Sequence, residues 1–240
     1  MSICLVVLGA LVLPACGSTD ALTVYGASSL ARVLPKFEAS PEYSFAGSDV
    51  LAQQIESGAP ADLFAAASPR YPSELAAKGL CEAPVPFASD TLVIIAPTGS
   101  KAVGSLADLA SGARKRIAIG TAAVPIGSYT REALANAGAD AVLTRNTVSQ
   151  EPDAAGIVAK VSLGSADAGI AYKTDAKAAA GRVRAIALPA AAQPVITYMA
   201  CVVHRDGANS AAAKEYLSRL TGAHGQGVLA AAGFGPAPSK

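Results

Sequence analysis

The order of predicted elements gives an α/β protein built as two lobes, and three observations carry that expectation. Short strands alternate with helices through small polar turns. Some strands are continuous apolar runs, the kind buried on both faces of a sheet. A second α/β set stands between the first set and a C-terminal return, so the chain leaves one lobe, builds another and comes back. With 52% of its 240 residues hydrophobic and 15% charged, the chain can bury a sizeable core.

The first lobe begins with a strand at 21–25, a turn at 26–29 and an amphipathic helix at 30–38. The unit repeats with a strand at 43–46, a turn at Gly47-Ser48 and a helix at 49–57, where Val50, Leu51 and Ile55 share a face. A third strand follows at 61–66 and a short helix at 72–78. The second set opens with the apolar strand 91–97. It continues with a helix at 106–109, a strand at 116–120, a turn at 125–128, a helix at 129–137, a strand at 146–148 and a helix ending near Leu163. Strands at 168–172 and 184–188 complete it; the long strand 194–203 and helices at 211–221 and 225–232 make the return. No short sequence repeat is present. Crossing segments are expected at 87–91 and 196–202, which divides the chain into a first lobe of 22–88 plus 199–240 and a second of 89–198. A cleft between such lobes is a favoured place for a ligand.

Ahead of this body, Ile3 to Leu13 is almost wholly apolar and too short to span a bilayer as a helix, which takes about 20 residues. Its length suits the apolar part of a signal peptide, and Leu13-Pro14-Ala15-Cys16-Gly17 resembles a lipoprotein cleavage box, although no Lys or Arg precedes the run. Residues 1–15 are therefore expected to be removed, Cys16 to carry lipid and 16–21 to act as a tether, against the alternative of a buried first element. Cys81 and Cys201 remain in the body, able to pair outside the cytoplasm or to stay as a free buried pair. No Cys/His cluster has metal-ligand spacing. Nineteen Lys and Arg against 18 Asp and Glu leave a charge of +1, with no electrostatic footprint for nucleic acid.

Candidate chemistry sits at turns that deliver small residues to helix starts: Ser28-Ser29, Gly47-Ser48, Pro125-Ile126-Gly127 and Pro152-Asp153-Ala154. A helix start offers free N–H groups and the positive end of a dipole, so an anion can be held there without a cationic side chain. Taken singly, each serine is equally well an N-cap.

The motifs themselves are more specific. Val24-Tyr25-Gly26-Ala27-Ser28-Ser29-Leu30 resembles the first strand-to-helix turn of the molybdate-binding proteins of ABC importers, and Phe45 to Phe64, with Phe-Ala-Gly-Ser at its start and Gly-Ala-Pro-Ala-Asp-Leu-Phe at its end, resembles that family's second signature. Val124-Pro125-Ile126-Gly127-Ser128-Tyr129, Ala168-Gly169-Ile170-Ala171-Tyr172-Lys173-Thr174-Asp175-Ala176 and Gly233-Phe234 agree with it, so the resemblance covers the chain beyond the tether.

It implies a type II periplasmic-binding-protein-like fold and a clamp for molybdate or tungstate, with molybdenum or tungsten held only as the oxyanion and no cofactor. Ser29 and Ser48 are implied as hydroxyl and backbone donors from the first lobe. Ile126 and Ala154 are implied as backbone donors, and Tyr172 as a phenol, from the second; Ser28 is a possible addition. The implied partner is a membrane permease, and the protein is expected to act outside the cytoplasm, lipid-anchored or periplasmic, as a monomer that catalyses nothing. The alternatives are the same clamp for sulfate or phosphate, a serine hydrolase using Ser29 or Ser48, and the effector half of a regulator. No Gly-x-Ser-x-Gly elbow is present and only two histidines exist, His204 and His224, both read as surface or strand-end residues. Asp62 and Asp175 are read as turn-holding.

Overall fold

Why two sheets form follows from how the strands alternate with their covering helices. The computed structural model describes residues 21–111 and 113–238, so the expectations for the signal segment, for Cys16 and for most of the tether lie outside the described residues. The strands are β1 (Thr23–Ala27), β2 (Glu42–Ala46), β3 (Leu63–Ala66), β4 (Val85–Asp90), β5 (Leu92–Pro97), β6 (Ile117–Gly120), β7 (Thr147–Glu151), β8 (Ala168–Tyr172), β9 (Val183–Ala187) and β10 (Ile196–Val202). The helices are α1 (Leu34–Phe37), α2 (Ser48–Glu56), α3 (Arg70–Ala77), α4 (Leu106–Ala110), α5 (Pro125–Asn136), α6 (Ala141–Asn146), α7 (Ala154–Ser162), α8 (Lys173–Ala178), α9 (Ser210–Thr221) and α10 (Ala223–Ala232).

One sheet has the order β2-β1-β3-β10-β4 and the other β7-β6-β8-β5-β9. In the first, β1 runs parallel to β2 and β3, while the returning β10 is antiparallel to β3 and β4. The second repeats the scheme, with β6 parallel to β7 and β8, and β5 antiparallel to β8 and β9. Leu92 to Ala96 of β5 are all buried, as a continuous apolar strand between two neighbours must be. The result is the two-lobed type II α/β fold.

Two local readings are corrected by the structure. The helix expected over 30–38 is a 3-10 turn at Ser28–Leu30 and then the four-residue α1. Pro35 is the cause: it has no N–H to give to the carbonyl four residues back, so the ladder is interrupted and restarts. The segment read as a crossing at 87–91 is most of β4, which pairs with β10 from Ile196 opposite Asp90 onwards. Ser89, Asp90 and Ile196 to Tyr198 therefore belong to the first sheet, and the chain changes lobes at Thr91 and between β9 and β10. There Gln193 clasps Leu92, accepting from its N–H at 2.9 Å and donating to its carbonyl at 2.8 Å. The helices α6 and α8 were not legible as separate elements.

Apolar packing fills the space between sheets and helices. A large core runs from Leu22 to Phe234, and a smaller one gathers Leu51, Ile55, Phe64, Tyr71 and Leu75 beside Cys81 and Cys201, which are free buried thiols. Asp62 does hold structure: its buried carboxylate accepts from the N–H groups of Thr23 and Asn209 and pairs with Arg205 at 2.7 Å.

Candidate functional site

The strand-end turns meet between the lobes. A narrow cavity is lined by Ser28 and Ser29, by Gly47 and Ser48, by Pro125 and Ile126, and by Ala154 and Tyr172, with Ala27, Ala46, Ala67 and Val124 between them. Ser28, Ser29, Ser48, Ile126, Ala154 and Tyr172, the residues implied as ligands, are thus brought to one place. No charged side chain among the described residues lines it.

Each donor is set by local structure. Ser48 opens α2 after Gly47 and is buried; its Oγ accepts from the Ala67 N–H at 3.1 Å, which uses a lone pair and leaves the hydroxyl proton free to point into the cavity. Ser29 lies in the 3-10 turn, with Oγ at 2.9 Å from the Tyr198 hydroxyl. Tyr198 was not singled out from sequence. It sits inside β10, and only the antiparallel return of that strand carries it across 169 positions to Ser29.

From the other lobe, Pro125 occupies the first turn of α5 and lacks an N–H, so Ile126 presents the first one of that helix. The Ile126 side chain belongs to the large core. Helix α5 can come this close to β6 because Gly127 has no side chain: a Cβ there would lie 1.8 Å from the Thr121 carbonyl oxygen. At α7, Asp153 caps the helix by accepting from the Gly156 N–H at 2.8 Å, leaving the N–H groups of Ala154 and Ala155 outside the helix's own ladder. Tyr172 ends β8 and its hydroxyl is buried with no hydrogen-bond partner among the described residues. Burial raises its pKa well above the ordinary value, and nearby Tyr129, Asp175 and Asp90 add to this, so the phenol stays a protonated donor.

Two contacts hold the lobes together beside the cavity. The Tyr71 hydroxyl of α3 donates to the Ala123 carbonyl before α5. Gly47 of the first lobe is pressed against Pro152 of the second, where a Cβ would stand 2.5 Å from the Pro152 carbonyl oxygen. The sequence shows Gly47 as a turn residue. The structure adds that this close approach of the lobes needs the missing side chain.

Asp175, read as a turn acid, has a backbone contact with Tyr172. Its Oδ2 is buried and unpartnered, and burial first, then the charges of Asp90 and Asp153, raise its pKa to about 8. Asp90, at the lobe junction, is raised to about 6 by burial despite accepting from the Thr174 hydroxyl at 2.6 Å. Both carboxyls keep a proton in the fold that the unfolded chain loses near pH 3.9. The unfolded state then binds fewer protons, so stability is greatest at low pH and falls as pH rises through the window from about 4 to 8. The melting temperature of the unloaded protein is expected to drop between about pH 5 and pH 8, and Asp175→Asn to flatten that slope. An unaltered slope in the variant would place the titrating group elsewhere.

A serine hydrolase would need a histidine against Ser29 or Ser48. Neither histidine lines the cavity: His204 faces the Gly79 carbonyl and His224 packs near Phe37.

The family model described as bacterial extracellular solute-binding protein matches residues 22–235. The molybdate-binding protein ModA of Haemophilus influenzae is 35% identical over 234 residues, covering 93% of this chain and 88% of that one. ModA of Mycobacterium tuberculosis is 35% identical over 194 residues, 80% of this chain and 72% of that one. Among solved structures, the periplasmic molybdate-binding protein of Azotobacter vinelandii superposes with a TM-score of 0.78 at 22% identity, covering 91% of this chain and 100% of that chain, which is likeness of fold. The chain belongs to the bacterial extracellular solute-binding proteins and, within them, to the ModA molybdate-binding family.

Proposed function

We propose that this protein captures molybdate, or tungstate, between its lobes and delivers it to the permease of an ABC importer. One observation carries the reading: the interlobe cavity is lined by serine and tyrosine hydroxyls and by the starts of helices from both lobes, with no charged side chain among them. A tetrahedral dianion offers only acceptor oxygens, so a shell of neutral donors satisfies it. Each hydrogen bond to the charged group contributes about 1.5–3 kcal/mol, and several together offset its desolvation. Donors come from both lobes, so the shell is complete only when they close about the junction at Thr91 and the β9–β10 connection, and the permease reads the closed form.

In this reading Ser29, Ser48, Ile126, Ala154 and Tyr172 hold the oxyanion, with Ser28 beside them, and the protein works as a monomer. Cys16 carries the lipid that keeps it at the membrane; the apolar run before a small residue and cysteine supports this.

Tyr172→Phe separates a ligand-binding phenol from a core one. The variant is expected to weaken molybdate binding by about 10- to 100-fold, the equivalent of one donor to a charged group. Its melting temperature without ligand should be unchanged or slightly higher, because the hydroxyl removed has no partner in the unloaded protein. Calorimetry giving the wild-type dissociation constant would return Tyr172 to the core.

A further inference from the structure

The oxyanion cavity carries no cation, yet an anion must find it on a protein whose formal charge is only +1. Basic residues in the walls of the cavities beside it resolve this. A second, wider cavity of about 300 Å³ lies between the lobes and shares Ser28 with the first. Its wall includes Arg32, from the segment after the 3-10 turn of the first lobe, and Arg182, after α8 of the second. An adjoining groove is lined by Arg32 again, with Lys36 and Lys177.

Arg32 and Arg182 differ from most arginines of this chain. Arg70, Arg116, Arg205 and Arg219 pair with carboxylates, and Arg131 and Arg184 donate to backbone carbonyls. Arg32 and Arg182 are exposed and in no salt bridge among the described residues. The acid in the walls of these two cavities is Asp175, and its carboxyl is held protonated at neutral pH by burial, so it does not cancel them.

Building on the functional reading above, we propose that Arg32 and Arg182, one from each lobe, form an anion-collecting gate: they speed entry of the oxyanion dianion into its cavity and stay outside the shell that finally holds it. Charges gathered at a cleft mouth raise the local concentration of a counter-ion and its association rate, in a way that salt screens. A group outside the final shell leaves the dissociation rate alone. Capture and retention are thereby divided between different residues, arginines for the first and neutral donors for the second.

The test is the kinetics of molybdate binding, followed by tyrosine fluorescence in stopped flow at several salt concentrations, since the chain has no tryptophan and Tyr172 lines the cavity. Wild type is compared with R32Q, R182Q and the double variant, and with K101Q, which removes the same charge outside both cavity walls. The double variant is expected to associate about 10-fold more slowly at low ionic strength, with the gap closing at high salt and the dissociation rate and melting temperature unchanged. K101Q should match wild type. Equal association rates, or a loss that K101Q shares, would overturn the gate. A faster dissociation in the arginine variants would also overturn it, by placing the guanidinium groups in the shell. Wild type that binds neither molybdate, tungstate, sulfate nor phosphate would bring down the functional reading, and the gate with it.

Discussion

Replacing Ser29 and Ser48 together by alanine is expected to weaken molybdate binding by about 10²- to 10⁴-fold, the larger of the mutational effects this geometry implies. Each hydroxyl supplies one donor to a buried charge, about 1.5–3 kcal/mol apiece, and 1.4 kcal/mol is a factor of ten. The two lie on different elements of the same lobe, one in the 3-10 turn and one at the start of α2, and converge on one cavity. Folding should suffer less. Ser48→Ala orphans the Ala67 N–H and Ser29→Ala the Tyr198 hydroxyl, each a loss of about 1–3 kcal/mol. For a chain of this size that lowers the melting temperature by about 2–4 °C per kcal/mol and leaves the protein folded at room temperature. Calorimetry on the double variant checks the claim: near wild-type affinity would show that neither hydroxyl meets the anion.

Much of this site was legible because its residues sit where sequence reads best, at the junctions between a strand and the helix after it. Ser29, Ser48, Ile126 and Ala154 each follow a recognisable turn, and Tyr172 ends an apolar strand, so local pattern and family motif point to the same positions. What was not legible depends on long-range approach. Tyr198 reads as an ordinary strand residue until β10 is known to lie beside β3. The pressing of Gly47 on Pro152 is set by the closed lobes and leaves no mark in the spacing of either segment. Asp175 follows a turn and so reads as a turn acid; only packing reveals that one of its carboxyl oxygens is buried without a partner. Similarly, a proline at position 35 inside an amphipathic pattern is visible in the sequence, but apolar periodicity ran through it and the break was missed. The lobe junction moved by two or three residues because β4 and β10 pair across it, and pairing between strands so far apart is not encoded locally.

A shell of neutral donors is expected to discriminate among tetrahedral oxyanions by size and protonation. Molybdate and tungstate are nearly equal in size and fully deprotonated at neutral pH, so the same donors satisfy both. Sulfate is the smaller tetrahedron, and its oxygens are expected to fall short of donors that fit molybdate. Phosphate at neutral pH carries at least one proton, and a shell of donors has no acceptor to receive it. Calorimetric titration of the purified protein with the four oxyanions at pH 7 measures this directly. Molybdate and tungstate are expected to bind with comparable dissociation constants, each at least about 100-fold below those of sulfate and phosphate. Tight binding of sulfate with weak or absent binding of molybdate would contradict the account.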